Sequence, residues 1–223
     1  ISSAKLCSQL RHADEMGIED VTPNVNFQKV MERVQRVIKE IEPHDSVERY
    51  EGLGVTCMSG RAEIMSPYQV KVYTDEGEQC FSTKNIIIAS GAKAFVPPIP
   101  GLETIDYLTS DNLWDIRELP KRLIVLGGGP IGCELSQAFA RLGSQVTQIE
   151  ILSRIMIKED NEVASLLTKK FEDEGIDIRT DHVAKEIVIE GNKKKLICEN
   201  QNETVEIQFD EILIAIGRTA NSN

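Results

Sequence analysis

Three glycines, Gly127, Gly129 and Gly132, lie within the stretch "LIVLGGGPIGCELSQAFARLGSQVTQIE", residues 123–150, between an apolar run and a helical pattern. A GxGxxG placed directly after a strand and opening a helix can cradle the pyrophosphate of a dinucleotide. The first glycine permits the tight turn, the second lets the pyrophosphate approach the backbone, and the third lets the helix pack closely on the strand. The unpaired N–H groups and the positive dipole end of the helix then face the anion. Pro130 suits the first helical turn, where a missing N–H costs little. The competing reading is a glycine-rich turn that only connects two elements.

Glu150 ends the second apolar strand, 23 residues past Gly127, close to the spacing of about 20 for an acid that bonds an adenosine ribose. A carboxylate there accepts from a 2′-hydroxyl and repels a 2′-phosphate, so NAD(H) is favoured over NADP(H). Arg154 and Lys158 follow closely enough to reach a phosphate, which keeps NADP(H) as the lesser alternative. Cys7, Cys57, Cys80, Cys133 and Cys198 are widely spaced, with no CxxC and no metal-ligand cluster. They read as reduced thiols of a cytoplasmic protein, and no metal site is expected. The Asn202-Glu203-Thr204 triplet matches a glycosylation acceptor without any secretory feature to support it.

The elements that must position the glycines follow from the apolar periodicity. Residues 2–17 and 27–42 carry helical spacing, most clearly at Val30, Val34, Val37, Ile38 and Ile41. From Val55 the period shortens into a small antiparallel meander, followed by a buried strand expected at Asn85 to Ala89. The proline-rich "VPPIPG", Val96 to Gly101, is a connection. Beyond it come a strand (123–126), a helix (131–142), a strand (145–151), a helix (161–174) and a strand (176–179). Such alternation predicts a parallel sheet with crossover helices, and Gly143 and Gly175 stand where helix C-caps are expected. Three further β-rich runs, 184–189, 194–199 and 204–209, precede a last apolar strand, "EILIAIG". The fold class is therefore α/β, with a Rossmann-like parallel sheet and an antiparallel meander.

With 223 residues and 41% hydrophobic content, the chain can bury a sizeable core. Its net charge of −11 would repel phosphate backbones and anionic headgroups, so nucleic acid and membrane surfaces are excluded as partners. No apolar run reaches the roughly 18 residues that a membrane span needs.

Together, "IIIASGAKAFVPPIPG", "VLGGGPIGCELSQAFARLGSQVTQIE" and "DEILIAIGRTAN" resemble, in order, three signature segments of the flavin-dependent pyridine nucleotide-disulfide oxidoreductases. "ISSAKLCSQLRHADEMGI" resembles the stretch after that family's redox-active disulfide, most closely in the mercuric-reductase-like branch. The resemblance implies that residues 1–105 are a partial FAD-binding domain, whose first βαβ unit and disulfide would precede Ile1, and that residues 106–223 are an NAD(H)-binding domain. It implies that Gly127, Gly128, Gly129, Pro130, Ile131 and Gly132 hold the pyrophosphate, that Glu150 holds the ribose, and that Val183 and Gly217 line the adenine and nicotinamide sides. By the same resemblance Ala62, Ser90, Gly91 and Ala92 contact FAD. Glu134 resembles an acid beside the nicotinamide, though it fits a surface helix glutamate equally well. Pro130 stands where several relatives carry a larger gating side chain, and Ala220 replaces the proline of GRxPN.

The implied function is part of a flavin-dependent oxidoreductase that passes hydride from NAD(P)H to FAD and on to a disulfide or a thiolate-bound metal. The full-length enzyme would be a cytoplasmic homodimer, and this chain alone is expected to be inactive and colourless. The alternative is a Rossmann module that binds nucleotide for regulation or assembly without redox chemistry.

Overall fold

The computed structural model describes residues 1–19, 21–201 and 203–222, so Asn202 of the glycosylation triplet lies outside the described residues. The helices are α1 (Ser2–Arg11), α2 (Phe27–Ile41), α3 (Val47–Gly52), α4 (Pro130–Leu142) and α5 (Asn161–Asp173). The strands before α4 are β1 (Arg61–Ser66), β2 (Gln69–Thr74), β3 (Gly77–Ser82), β4 (Ala92–Ala94), β5 (Leu108–Thr109) and β6 (Arg122–Leu126). After it come β7 (Gln145–Ile149), β8 (Asp177–Arg179), β9 (Val183–Glu190), β10 (Lys193–Glu199), β11 (Thr204–Phe209), β12 (Glu211–Ile214) and β13 (Arg218–Ala220). They form two compact units, one of residues 1–34 with 92–220 and one of residues 35–91 with the end of the chain from 221.

In the larger unit, β5, β12, β6, β7 and β8 lie side by side in that order, all parallel. Successive side chains of β6 point to opposite faces, and both faces are covered, which is why "LIVL" is apolar without alternation. Leu123 and Val125 enter a core with Phe139 and Leu142 of α4, Phe171 of α5, Cys7 of α1 and Phe27 of α2. Ile124 and Leu126 enter the opposite core, against Ile187, Leu196 and Phe209 of the antiparallel sheet β9-β10-β11. The result is three layers: helices, parallel sheet, antiparallel meander.

Two charged contacts fix the layers at their ends. Arg122 bonds Asp210 through its backbone N–H (2.8 Å) and its guanidinium, tying the start of β6 to the turn before β12. Arg141 meets Glu174 with two parallel bonds of 2.8 and 2.7 Å, joining the last turn of α4 to the end of α5. Burial alone would push the Glu174 carboxyl up; the Arg141 fork and Lys170 outweigh it and hold that carboxyl below the usual carboxylate range.

The smaller unit contains the antiparallel meander β1-β2-β3, as the sequence predicts, and α3, which it does not predict. The buried strand expected at Asn85 to Ala89 does not form. Among the described residues no strand pairs with this segment, and Ile87 and Ile88 are 90% and 71% exposed. An apolar triplet reads as a sheet interior only if neighbouring strands supply its ladder, and none does here. The N-terminal helix also stops short of its expected end: α1 closes at Arg11, and a 3-10 turn from Ala13 to Met16 ends at left-handed Gly17.

Candidate functional site

A groove of about 680 Å³ opens at the carboxyl ends of β6, β7 and β12. Chain order proceeds outward from β6 through α4 to β7 and β8, whereas β12 returns on the other side of β6. The groove therefore sits at the topological switch point, where open α/β sheets bind ligands. Gly127, Gly128, Gly129, Pro130, Ile131, Glu150, Val183 and Gly217 all line it.

The glycine turn is held by close contacts. Gly127 has φ +113, and a Cβ there would overlap the carbonyl oxygen of Ala215. Gly132, buried beneath the turn, leaves no room for a Cβ against the Gly127 carbonyl oxygen. Gly129 is the N-cap of α4 and provides no side-chain cap. Among the described residues the N–H groups of Gly129, Ile131 and Gly132 have no protein acceptor, so the helix presents unpaired donors to the groove. The chemistry of that donor set fits a pyrophosphate.

Glu150 Oε2 accepts from the Gly128 N–H at 2.6 Å and its Oε1 from the Leu152 N–H at 2.8 Å. Its carboxylate thus stands at the groove floor with further lone pairs for hydroxyl donors. Residues 151–159 wrap the loop: the Met156 N–H donates to the Gly128 carbonyl at 2.7 Å, and Ile155 is fully buried against Gly128. Arg154 donates to the carbonyls of Met156 (3.1 Å) and Ile157 (2.9 Å). Its guanidinium is spent on the loop rather than offered to a phosphate, while Lys158 lines the groove. His182 joins the lining beside Val183; its Nδ1 meets the Thr180 carbonyl at 2.6 Å and its Nε2 the Asn200 amide at 3.2 Å.

At the rim, Arg218 donates to Ser110 Oγ (2.8 Å), Asp111 Oδ1 (3.2 Å) and the Ala92 carbonyl. Asp111 also accepts from the Ala94 N–H, and that bond, followed by Arg218, holds its carboxyl below the usual range. Neither partner was singled out from the sequence, since 107 residues separate them.

Other expected site residues are not among those lining this groove. Glu134 is exposed on α4 and is not in the groove lining. Ala62, Ser90 and Gly91 belong to the smaller unit; Ala62 is exposed on β1, and the carbonyls of Ser90 and Gly91 accept from Asn221. Ala92 stands on β4. No group of three or more potential metal ligands occurs among the described residues.

A parallel sheet with a glycine turn, an uncapped helix N-terminus and a strand-end acid at its switch point defines a Rossmann-like nucleotide-binding unit. Residues 15–223 match the pyridine nucleotide-disulphide oxidoreductase family, and the chain belongs to it. Family members are flavoenzymes that use FAD with NAD(P)H. The chain is 31% identical over 203 residues to a mercuric reductase of Bacillus cereus, covering 91% of this chain and 32% of that protein. It is 29% identical to a dihydrolipoyl dehydrogenase of Bacillus subtilis, covering 98% of this chain and 47% of that one. A solved structure, the Cu(II) complex of the HOCl-induced flavoprotein disulfide reductase RclA from Escherichia coli, superposes with a TM-score of 0.76 at 27% identity, over 97% of this chain and 47% of that one. The chain thus spans from 32% to 47% of the length of these relatives.

Proposed function

We propose that the groove binds NAD(H), and that the protein is the nicotinamide-nucleotide-binding part of a flavin-dependent disulfide oxidoreductase. The observation that carries this reading is Glu150, whose carboxylate reaches the glycine loop from the end of the second strand of the unit. In that place it accepts from the ribose hydroxyls, while the free N–H groups of α4 take the pyrophosphate. Val183 flanks the adenine side and Gly217 the nicotinamide side. Arg154 is already engaged by its own loop, which supports NAD(H) over NADP(H).

When bound, the nicotinamide would supply a hydride to the flavin of the complete enzyme, which reduces a disulfide or a thiolate-held metal. Residues 1–105 are the proposed flavin-side portion and 106–223 the nicotinamide-side portion. Ala62, Ser90, Gly91 and Ala92 are the proposed FAD contacts, and the first three are exposed. Glu134 is the proposed acid beside the nicotinamide. No helix among the described residues is long and apolar enough to cross a membrane. The complete enzyme is proposed to be a cytoplasmic homodimer.

Backbone amide NMR during an NADH titration tests the reading. Shifts should concentrate at Gly128, Gly129, Gly132, Leu152 and Val183. A spectrum that does not change, or changes confined to β1, β2 and β3, would overturn it.

A further inference from the structure

Gln148 is a polar residue in the middle of the parallel sheet, fully buried on β7 between Val125 of β6 and Ile178 of β8. Its side chain shares a strand face with Val146 and turns toward α4, where Nε2 donates to the Gly127 carbonyl at 3.0 Å and lies 3.5 Å from Cys133 Sγ. Gly132 passes close above the same nitrogen: a Cβ built there would lie 3.4 Å from it. The amide oxygen, Oε1, has no partner among the described residues. A buried amide with an orphaned carbonyl is costly, so an apolar side chain would suit this strand better.

What the glutamine gives in return lies in one peptide group. The carbonyl that Gln148 holds and the N–H that Glu150 holds, at 2.6 Å, belong to the same Gly127–Gly128 peptide. Residues two apart on one strand face therefore grip opposite ends of a single plane, directly before the unpaired N–H groups of α4. Glycine on both sides leaves that plane free to rotate unless something fixes it.

We propose that Gln148 is a positioning residue for dinucleotide binding, fixing the carbonyl end of this peptide so that the loop stays aimed at the pyrophosphate when Glu150 turns its oxygens to the ribose. The inference rests on the NAD(H) reading above. It assigns the ribose contact to Glu150 and the loop geometry to Gln148. Loss of the amide donor should then weaken ligands that carry a pyrophosphate and leave the nucleoside end alone.

The test compares wild type with Gln148→Leu and Gln148→Met, the second keeping the side-chain length without the donor. NADH and adenosine are titrated by calorimetry, and thermal midpoints are measured in parallel. NADH affinity should fall roughly 3- to 10-fold, the worth of one hydrogen bond. Adenosine affinity should change less than about twofold, with the midpoint where it was, since an orphaned oxygen is removed as one carbonyl is released. Unchanged NADH affinity in a folded variant overturns the proposal. So does loss of both ligands together with the midpoint, or failure of both variants to fold, since Gln148 would then be a core residue only. A wild type that binds neither ligand fails the NAD(H) reading itself, and the inference falls with it.

Discussion

Gly132 lies so close beneath Gly127 that a side chain on it would overlap the Gly127 carbonyl oxygen, whereas Gly129, three residues earlier, has nothing within 4 Å of its missing Cβ. The two glycines therefore separate packing from binding. Gly132→Ala should destabilise the protein by about 1 to 3 kcal/mol through overpacking, with the thermal midpoint falling by several degrees. Gly129→Ala should leave the midpoint unchanged, since its φ of −77 suits any residue. It should nevertheless weaken NADH, because the methyl group occupies space that the pyrophosphate needs. Thermal melts and NADH titrations of both variants check the pair.

The Arg141–Glu174 contact makes stability depend on acid. The Glu174 carboxyl titrates below its ordinary value, so its contribution is complete above the unfolded value of about 4.5 and is lost as pH falls through the lowered one. Glu174→Gln should cost about 1.5 to 3 kcal/mol at pH 7, as expected for a charged hydrogen bond in a setting where Glu174 is 8% exposed. The gap between variant and wild type should narrow as pH falls below the unfolded value of about 4.5, and close only once pH has passed the lowered value of the folded wild-type carboxyl. Urea denaturation at pH 7 and along an acid series measures the gap.

The cysteines should divide by exposure. Cys80 is exposed and Cys57 half-buried, whereas Cys7, Cys133 and Cys198 are buried, and burial pushes the Cys198 thiol up to about 11. A thiol with so little thiolate is a poor nucleophile. Alkylation of the native protein should label Cys80 first and Cys57 more slowly, with the other three reacting only after unfolding. Peptide mapping by mass spectrometry reads the order, and early labelling of Cys198 would contradict the buried antiparallel sheet.

Legibility followed the reach of the interactions. The unit β6-α4-β7-α5-β8 was readable because apolar period and glycine caps are local, and Gly143 does close α4 in a left-handed conformation. The glycine turn and Glu150 were readable because their spacing within one βαβ unit is fixed. Asn85 to Ala89 misled because an isoleucine triplet states its preference for burial without stating whether partner strands exist. Nothing in "VTQIE" singles out Gln148, because its bond to Gly127 depends on how α4 folds back over β7. The engagement of Arg154 was not visible at all. It depends on the course of residues 151–159, where Met156 adopts a φ of 50 that no residue type there announces.

The central claim is that Glu150 selects NAD(H) in this groove, and calorimetric titration of NADH and NADPH against wild type and Glu150→Ala tests it most directly. Wild type should bind NADH more tightly. The variant should lose roughly 10- to 150-fold in NADH affinity, equivalent to one charged hydrogen bond of about 1.5 to 3 kcal/mol. NADPH affinity should rise in the variant as repulsion of the 2′-phosphate disappears and Lys158, which lines the groove, is left without that opposing charge. Equal wild-type affinities for the two nucleotides, or a variant that keeps the wild-type preference, would contradict the account.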